Sequence, residues 1–200
     1  SNGLNNYSAN FDGTITGELN LNITYGGGEA KLDVNGSSGS IHDLTINKSG
    51  GDNHVLDGSA SITGTLWVKD GNLVMQGNSD TLSVGEDIKI GNGSDVGHLG
   101  HSSWSAAVDC RSLTIAGSTS STLQRDGGTI TIDGEDGDYA VTNNGTISGS
   151  VDLAITTNTT TLLDLNGSSG TFRNVTINHA SCVAQISTGF TISGTLDVNN

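Results

Sequence analysis

The chain has no proline, only two cysteines, and seven lysine and arginine residues against 21 aspartates and glutamates, which leaves a formal charge of −14 over 200 residues. Each scarcity excludes something. Without proline no backbone N–H is missing, as a continuous hydrogen-bonded ladder requires, and a collagen-like helix is ruled out. Two cysteines do not make a disulfide scaffold, so the fold must rest on burial and backbone hydrogen bonds. A net-basic surface for nucleic-acid phosphates is absent. No apolar run approaches the roughly 20 residues of a membrane-spanning helix. Aromatic residues make up 4% and charged residues 14%, the latter well under the usual ~25%. Leu, Ile, Val and Phe together number 47, a share just above that at which a strongly charged chain stays disordered. A core this small must be reused along the chain.

What is abundant is repetition. Residues 7–70 recur as 139–200: Tyr7 to Thr24 aligns with Tyr139 to Thr156 at an offset of 132, Leu32-Asp-Val-Asn-Gly-Ser-Ser-Gly39 with Leu163-Asp-Leu-Asn-Gly-Ser-Ser-Gly170 at 131, and Ile62-Thr-Gly-Thr-Leu66 with Ile192-Ser-Gly-Thr-Leu196 at 130. Inside this block runs a shorter period. It shows as aliphatic-x-aliphatic triplets at Leu21/Ile23, Leu44/Ile46, Leu66/Val68, Ile88/Ile90, Leu113/Ile115, Ile130/Ile132, Leu153/Ile155, Val175/Ile177 and Leu196/Val198. Their second members are spaced 23, 22, 22, 25, 17, 23, 22 and 21 residues apart. Asn-Gly and Asp-Gly pairs, at Gly36, Gly58, Gly127, Gly145 and Gly167 among others, run in step and read as corners held by positive φ.

Alternation of Val, Ile, Leu and Thr marks strands with one face buried. Because every triplet carries one pattern at one phase, stacking like on like buries all of them in a single column, which parallel coils achieve and hairpins do not. The expected fold is therefore all-β: a right-handed parallel β-helix or β-solenoid of about nine coils of ~22 residues, about 43 Å long at the ordinary strand spacing. Residues 1–200 read as a single solenoid segment of a longer protein, with irregular coils at 91–132. The residues between paired aliphatics form an outward ladder in which Trp67 beside Lys89 would make a cation–π contact. Cys110 and Cys182 fall about three coils apart, too far for a disulfide, so two free thiols are expected.

Function in a solenoid is sought where the repeat is broken, because inserted loops form its binding face. The long coil after Ile90 holds His98, His101 and Trp104. His98-x-x-His101 has the side chains for a divalent metal, though in a Gly/Ser loop rather than on a helix. The acidic run Asp133-Gly-Glu-Asp-Gly-Asp138 makes Asp133, Asp136 and Asp138 candidate Ca²⁺ ligands without matching an EF-hand. No cofactor is otherwise implied. Trp104 and Trp67, the two tryptophans, are candidate stacking surfaces for a sugar ring, with His98 and His101 as polar partners. The opposing reading makes the histidines and acidic turn solvated loop groups and Trp104 a wall-filling ring. A glycosidase or lyase needs converging singular groups, and here nearly every polar feature is repeated.

The run Thr191-Ile-Ser-Gly-Thr-Leu-Asp-Val198, its partner Ser61 to Val68, and the Leu-Asp-Val-Asn-Gly-Ser-Ser-Gly pair resemble the repetitive β-helix regions of bacteriophage fibre, tailspike and capsid-surface proteins and of secreted bacterial adhesins. The resemblance implies a non-enzymatic structural module of a virion surface protein, a fibre, spike or capsid decoration, located at the virion surface or outside the cell and aiding attachment to host surface glycans. A bacterial surface adhesin or filament module is the alternative, and a polysaccharide lyase or hydrolase a second one. The partners implied are other virion or cell-surface proteins, a glycan, and further copies of the chain in a homo-oligomer, with neither nucleic acid nor membrane among them.

Overall fold

The computed structural model describes residues 7–11, 13–24, 30–34, 39–48, 53–117, 120–134, 139–157, 160–165, 167, 169–178, 183–186 and 191–199. Cys182, Asp136 and Asp138 lie outside them. Among the described residues there are nineteen strands and no helix. All pairings between strands are parallel, and the chain winds as a β-solenoid of about 7 turns.

Each turn has three faces. The first stacks Leu21–Ile23, Leu44–Asn47, the start of Leu66–Met75, Asp87–Ile90, Ser112–Ile115, Tyr139–Asn143, Thr160–Asp164 and Val183–Ile186. The second stacks Tyr7–Asn10, Ala30–Asp33, Asn53–Leu56, the end of Leu66–Met75, Gly97–Gly100 and the starts of Thr122–Ile132 and Thr146–Ile155. The third stacks Ala60–Ile62, Leu82–Val84, Val108–Cys110, the ends of the same two long strands, Val175–Asn178 and Leu196–Asn199. Alternation places Leu44, Ile46, Leu66, Val68, Ile88, Ile90, Leu113 and Ile115 inside, each at most 1% exposed.

The nine triplets are therefore not one column. The first five stack on the first face, and the last four, from Ile130/Ile132 onward, stack on the third. The 17-residue step from Ile115 to Ile132 is two-thirds of a turn rather than a short coil, and the solenoid has about 7 turns rather than nine coils. Seven strand spacings give a wall about 34 Å long. The switch follows from one residue: in the next turn the partner of Ile115 on the first face is Asn143, so the strand there reads Val141-Thr-Asn143 and loses the aliphatic signature.

Asn143 is fully buried, and neither its amide oxygen nor its nitrogen has a hydrogen-bond partner among the described residues. A buried amide without partners costs about 1–3 kcal/mol. Asn143→Leu, nearly isosteric, is expected to raise stability by about that amount, read as a higher midpoint in thermal or urea unfolding. A lower midpoint in the variant would show that the amide is satisfied.

The duplicated block is rotated. Leu21–Ile23 and Leu44–Asn47 lie on the first face, whereas their copies at Leu153/Ile155 and Val175/Ile177 lie on the third. Leu32 lies on the second face and its copy Leu163 on the first. From Leu21–Ile23, five stacking steps reach Tyr139–Asn143, and Leu153 lies two faces further on. The 132-residue offset thus spans five and two-thirds turns instead of six.

One device is shared by both copies and repeats along the wall. The residue before each triplet is always Asn, Asp, Ser or Thr, and at Asn20, Asp43, Asp152 and Asn174 its side chain accepts a backbone N–H of the adjacent coil. In the first copy Asp43 N–H donates to Asn20 Oδ1 (3.2 Å) and Thr65 N–H to Asp43 Oδ1 (2.8 Å). In the second Asn174 N–H donates to Asp152 Oδ1 (3.3 Å) and Thr195 N–H to Asn174 Oδ1 (3.0 Å). Short carbonyl-bearing side chains here accept the backbone donors that strand pairing leaves at a corner. Arg173 adds a fork onto Asp152 at 2.8 and 2.5 Å, and these hydrogen bonds hold the Asp152 carboxyl below its usual range.

The glycines divide into two kinds. Gly58 and Gly127 hold positive φ, as the Asp-Gly corners require, but Gly77, Gly145 and Gly167 do not. At Gly145 the constraint is space, since a Cβ would stand 2.3 Å from Ile115 Cγ2 in the coil beneath.

Candidate functional site

The irregular coil does not present its tryptophan. Trp104 is 0% exposed. The loop after Gly97–Gly100 folds the ring into the wall, where Nε1–H donates to the Asp80 carbonyl at 2.9 Å. The loop is tied to both neighbouring coils through Ser105 N–H to Asn78 O (3.0 Å) and Asp126 N–H to Trp104 O (2.9 Å). The Arg125 guanidinium, itself buried, stacks 4.1 Å from the ring centroid and donates to the carbonyls of Ala106 and Gly127. Burial pulls the Arg125 pKa down to about 10. Trp104 thus fills the wall and offers no open ring face to a sugar.

Trp67 sits half-buried on the first face, its Nε1–H donating to Gly91 O at 3.0 Å. Its cation–π partner is Lys69, 5.7 Å from the ring centroid, rather than Lys89, which pairs with Asp87 at 3.2 Å. Asp87 also takes Ser112 Oγ–H at 2.8 Å and Arg111 at 3.4 Å. Burial alone would raise its carboxyl pKa, but these donors and cations outweigh it and hold it low.

His98 and His101 are brought together in one surface hollow of about 390 Å³ on the second face. Strand register explains the grouping. Asn53 pairs with Asn72, Asn72 with His98 and His98 with Thr122, so four outward side chains form a row across four coils. A parallel row runs beside it, where Gly100 pairs with Gln124. With no side chain, Gly100 leaves the depression. Val74 adds an apolar surface, and Val74 and His101 also border a second hollow of about 440 Å³ that includes Lys31 and Val55. Asn72 Nδ2–H donates to Asn53 Oδ1 at 3.0 Å, which fixes both amides. His101 Nδ1 accepts from Ser103 N–H at 3.2 Å, so the ring proton is on Nε2, a buried atom without a partner among the described residues. Burial lowers the pKa of His98, which leaves that ring neutral at pH 7.

Sequence reasoning finds the two histidines and misses Asn53, Asn72, Thr122 and Gln124. The signal available is the alternation in Asn72-Leu-Val-Met75 and Thr122-Leu-Gln124, whose polar members must face outward. Their alignment across coils depends on register, and no triplet marks this face.

Of the metal candidates, His98 and His101 share the hollow, Asp133 does not line it, and Asp136 and Asp138 lie outside the described residues. Among the described residues no three His, Cys, Asp or Glu side chains form a group that could hold a metal ion. Asp133 is exposed, and its effect is on Asp109, whose carboxyl is raised by burial and then by the Asp133 charge. Cys110 is a buried free thiol, pushed up by burial. No protein-family model matches the chain, and no curated protein or solved structure matches it.

Proposed function

We propose that this chain is a non-enzymatic structural module of a virion surface protein, a shaft or decoration that works with other virion proteins and carries an attachment face. The observation that supports the reading is the wall itself. Parallel pairing runs through three faces, buries Leu, Ile and Val at most inward positions before the last turn, and carries the same corner device in both copies of the duplicated block. Such a construction sets a fixed length and holds outward side chains at fixed spacing, which suits a spacer between a particle and its target. The −14 charge helps keep a long polar rod soluble.

Immunogold microscopy with antibody to this chain, together with the gene's neighbours, tests the proposal. Label on particles and adjacent capsid or tail genes are expected. A sorting signal with label on a bacterial surface would replace it with the adhesin reading, and turnover in a polysaccharide-cleavage screen would replace it with an enzyme.

A further inference from the structure

The hollow on the second face stands out within the molecule for what lines it. The chain carries 28 Asp, Glu, Lys and Arg residues, yet among the described residues none of them borders the hollow beside His98. Lys31, in the adjoining hollow, lies 3.9 Å from Asp57. The row also belongs mostly to 71–138, the stretch the duplication did not copy, so it is singular in a chain built of repeats.

We infer that this hollow binds a neutral oligosaccharide laid along the solenoid axis, held by Asn53, Asn72, His98, Thr122 and Gln124 with Val74 against a sugar ring. The inference goes beyond the structural reading above and does not depend on it. Carboxamides, a neutral imidazole and a hydroxyl each offer a donor and an acceptor, as sugar hydroxyls do. Side chains stepping by ~4.8 Å per coil suit a linear chain of linked rings rather than one compact molecule. An apolar patch beside fixed polar groups is the usual make-up of a small-ligand site. An anionic ligand would meet no cation among the described residues of the hollow and a molecule of charge −14 around it. A cation would meet no carboxylate among the described residues that line it. A peptide adding as a strand would find the backbone groups of this face already paired between coils.

The experiment is an array of neutral oligosaccharides printed beside sialylated and sulfated ones, followed by calorimetry on whichever neutral glycan binds. The expected result is binding to at least one neutral oligosaccharide with an affinity unchanged between low and high salt, because no ion pair is formed. Gln124→Ala is expected to weaken it about tenfold, and Thr122→Arg to abolish it by filling the hollow. Ser83→Ala, an exposed position on the third face, leaves it unchanged. Thermal unfolding of each variant separates loss of binding from loss of fold. Absence of neutral-glycan binding, salt-dependent preference for acidic glycans, or full affinity in a folded Thr122→Arg protein would overturn the inference.

Discussion

Trp104→Ala is expected to lower the stability of the solenoid by about 3–5 kcal/mol, as for other fully buried tryptophans, and its melting temperature by roughly 6–20 °C for a domain of this size. Three losses coincide. The ring is fully buried, so its removal leaves a cavity that the stiff coils on either side cannot close. The Asp80 carbonyl loses the Nε1–H donor. Arg125 loses the aromatic face that helps hold a buried guanidinium whose remaining partners are two backbone carbonyls. Differential scanning calorimetry of the wild type and Trp104→Ala measures the effect. A change of under about 1 kcal/mol would mean that the ring is not packed in the wall. Glycan binding in the folded variant is expected to persist, because the hollow beside His98 does not include Trp104.

A second substitution tests the stacking rather than the core. Gly149 pairs with Arg125 of the preceding coil and has φ +91°. A Cβ placed there would meet the Arg125 carbonyl oxygen at 1.7 Å. The strained backbone costs about 1–2 kcal/mol, and the clash is with main chain that cannot rotate away, so the two coils must part locally. Gly149→Ala is expected to lose about 3–5 kcal/mol in all, seen as a falling urea midpoint and faster amide exchange in the strands Thr122–Ile132 and Thr146–Ile155. Gly58→Ala is the control. It has φ +90°, with nothing within 4 Å of its Cβ position, so only the backbone part of the cost is expected. Equal losses at both sites would show that coil contact at Gly149 plays no part.

The fold was legible because its physics is local and repeated. Alternating aliphatics mark half-buried strands, and the period of about 22 residues, with no proline, implies parallel stacking. The number of faces was not legible. Ile130/Ile132 and Leu113/Ile115 obey one rule of alternation, and nothing in a triplet says on which side of the coil it lies. Asn143, a polar residue where an aliphatic belongs, breaks the first-face pattern at its turn. The corner device could have been seen, since Asn20, Asp43, Thr65, Asp87, Ser112, Thr129, Asp152, Asn174 and Thr195 each precede a triplet. Trp104 could not, because a ring in a Gly/Ser-rich loop looks the same whether it turns out to solvent or in against Arg125. His98 and His101 were found as residues, while the row they join required register between strands some 19 to 26 residues apart.

The rotated duplication bears on how such a wall grows. If each added copy advances five turns and two faces, three copies are needed before a block returns to its original side, so a binding row carried within it would wind around the rod as a staircase. Growth then proceeds by the strand rather than by the whole coil, because any side accepts any strand that alternates. A chain of this kind can gain or lose a third of a turn and still close its core, and the direction in which it displays a ligand changes by a third of a circle each time.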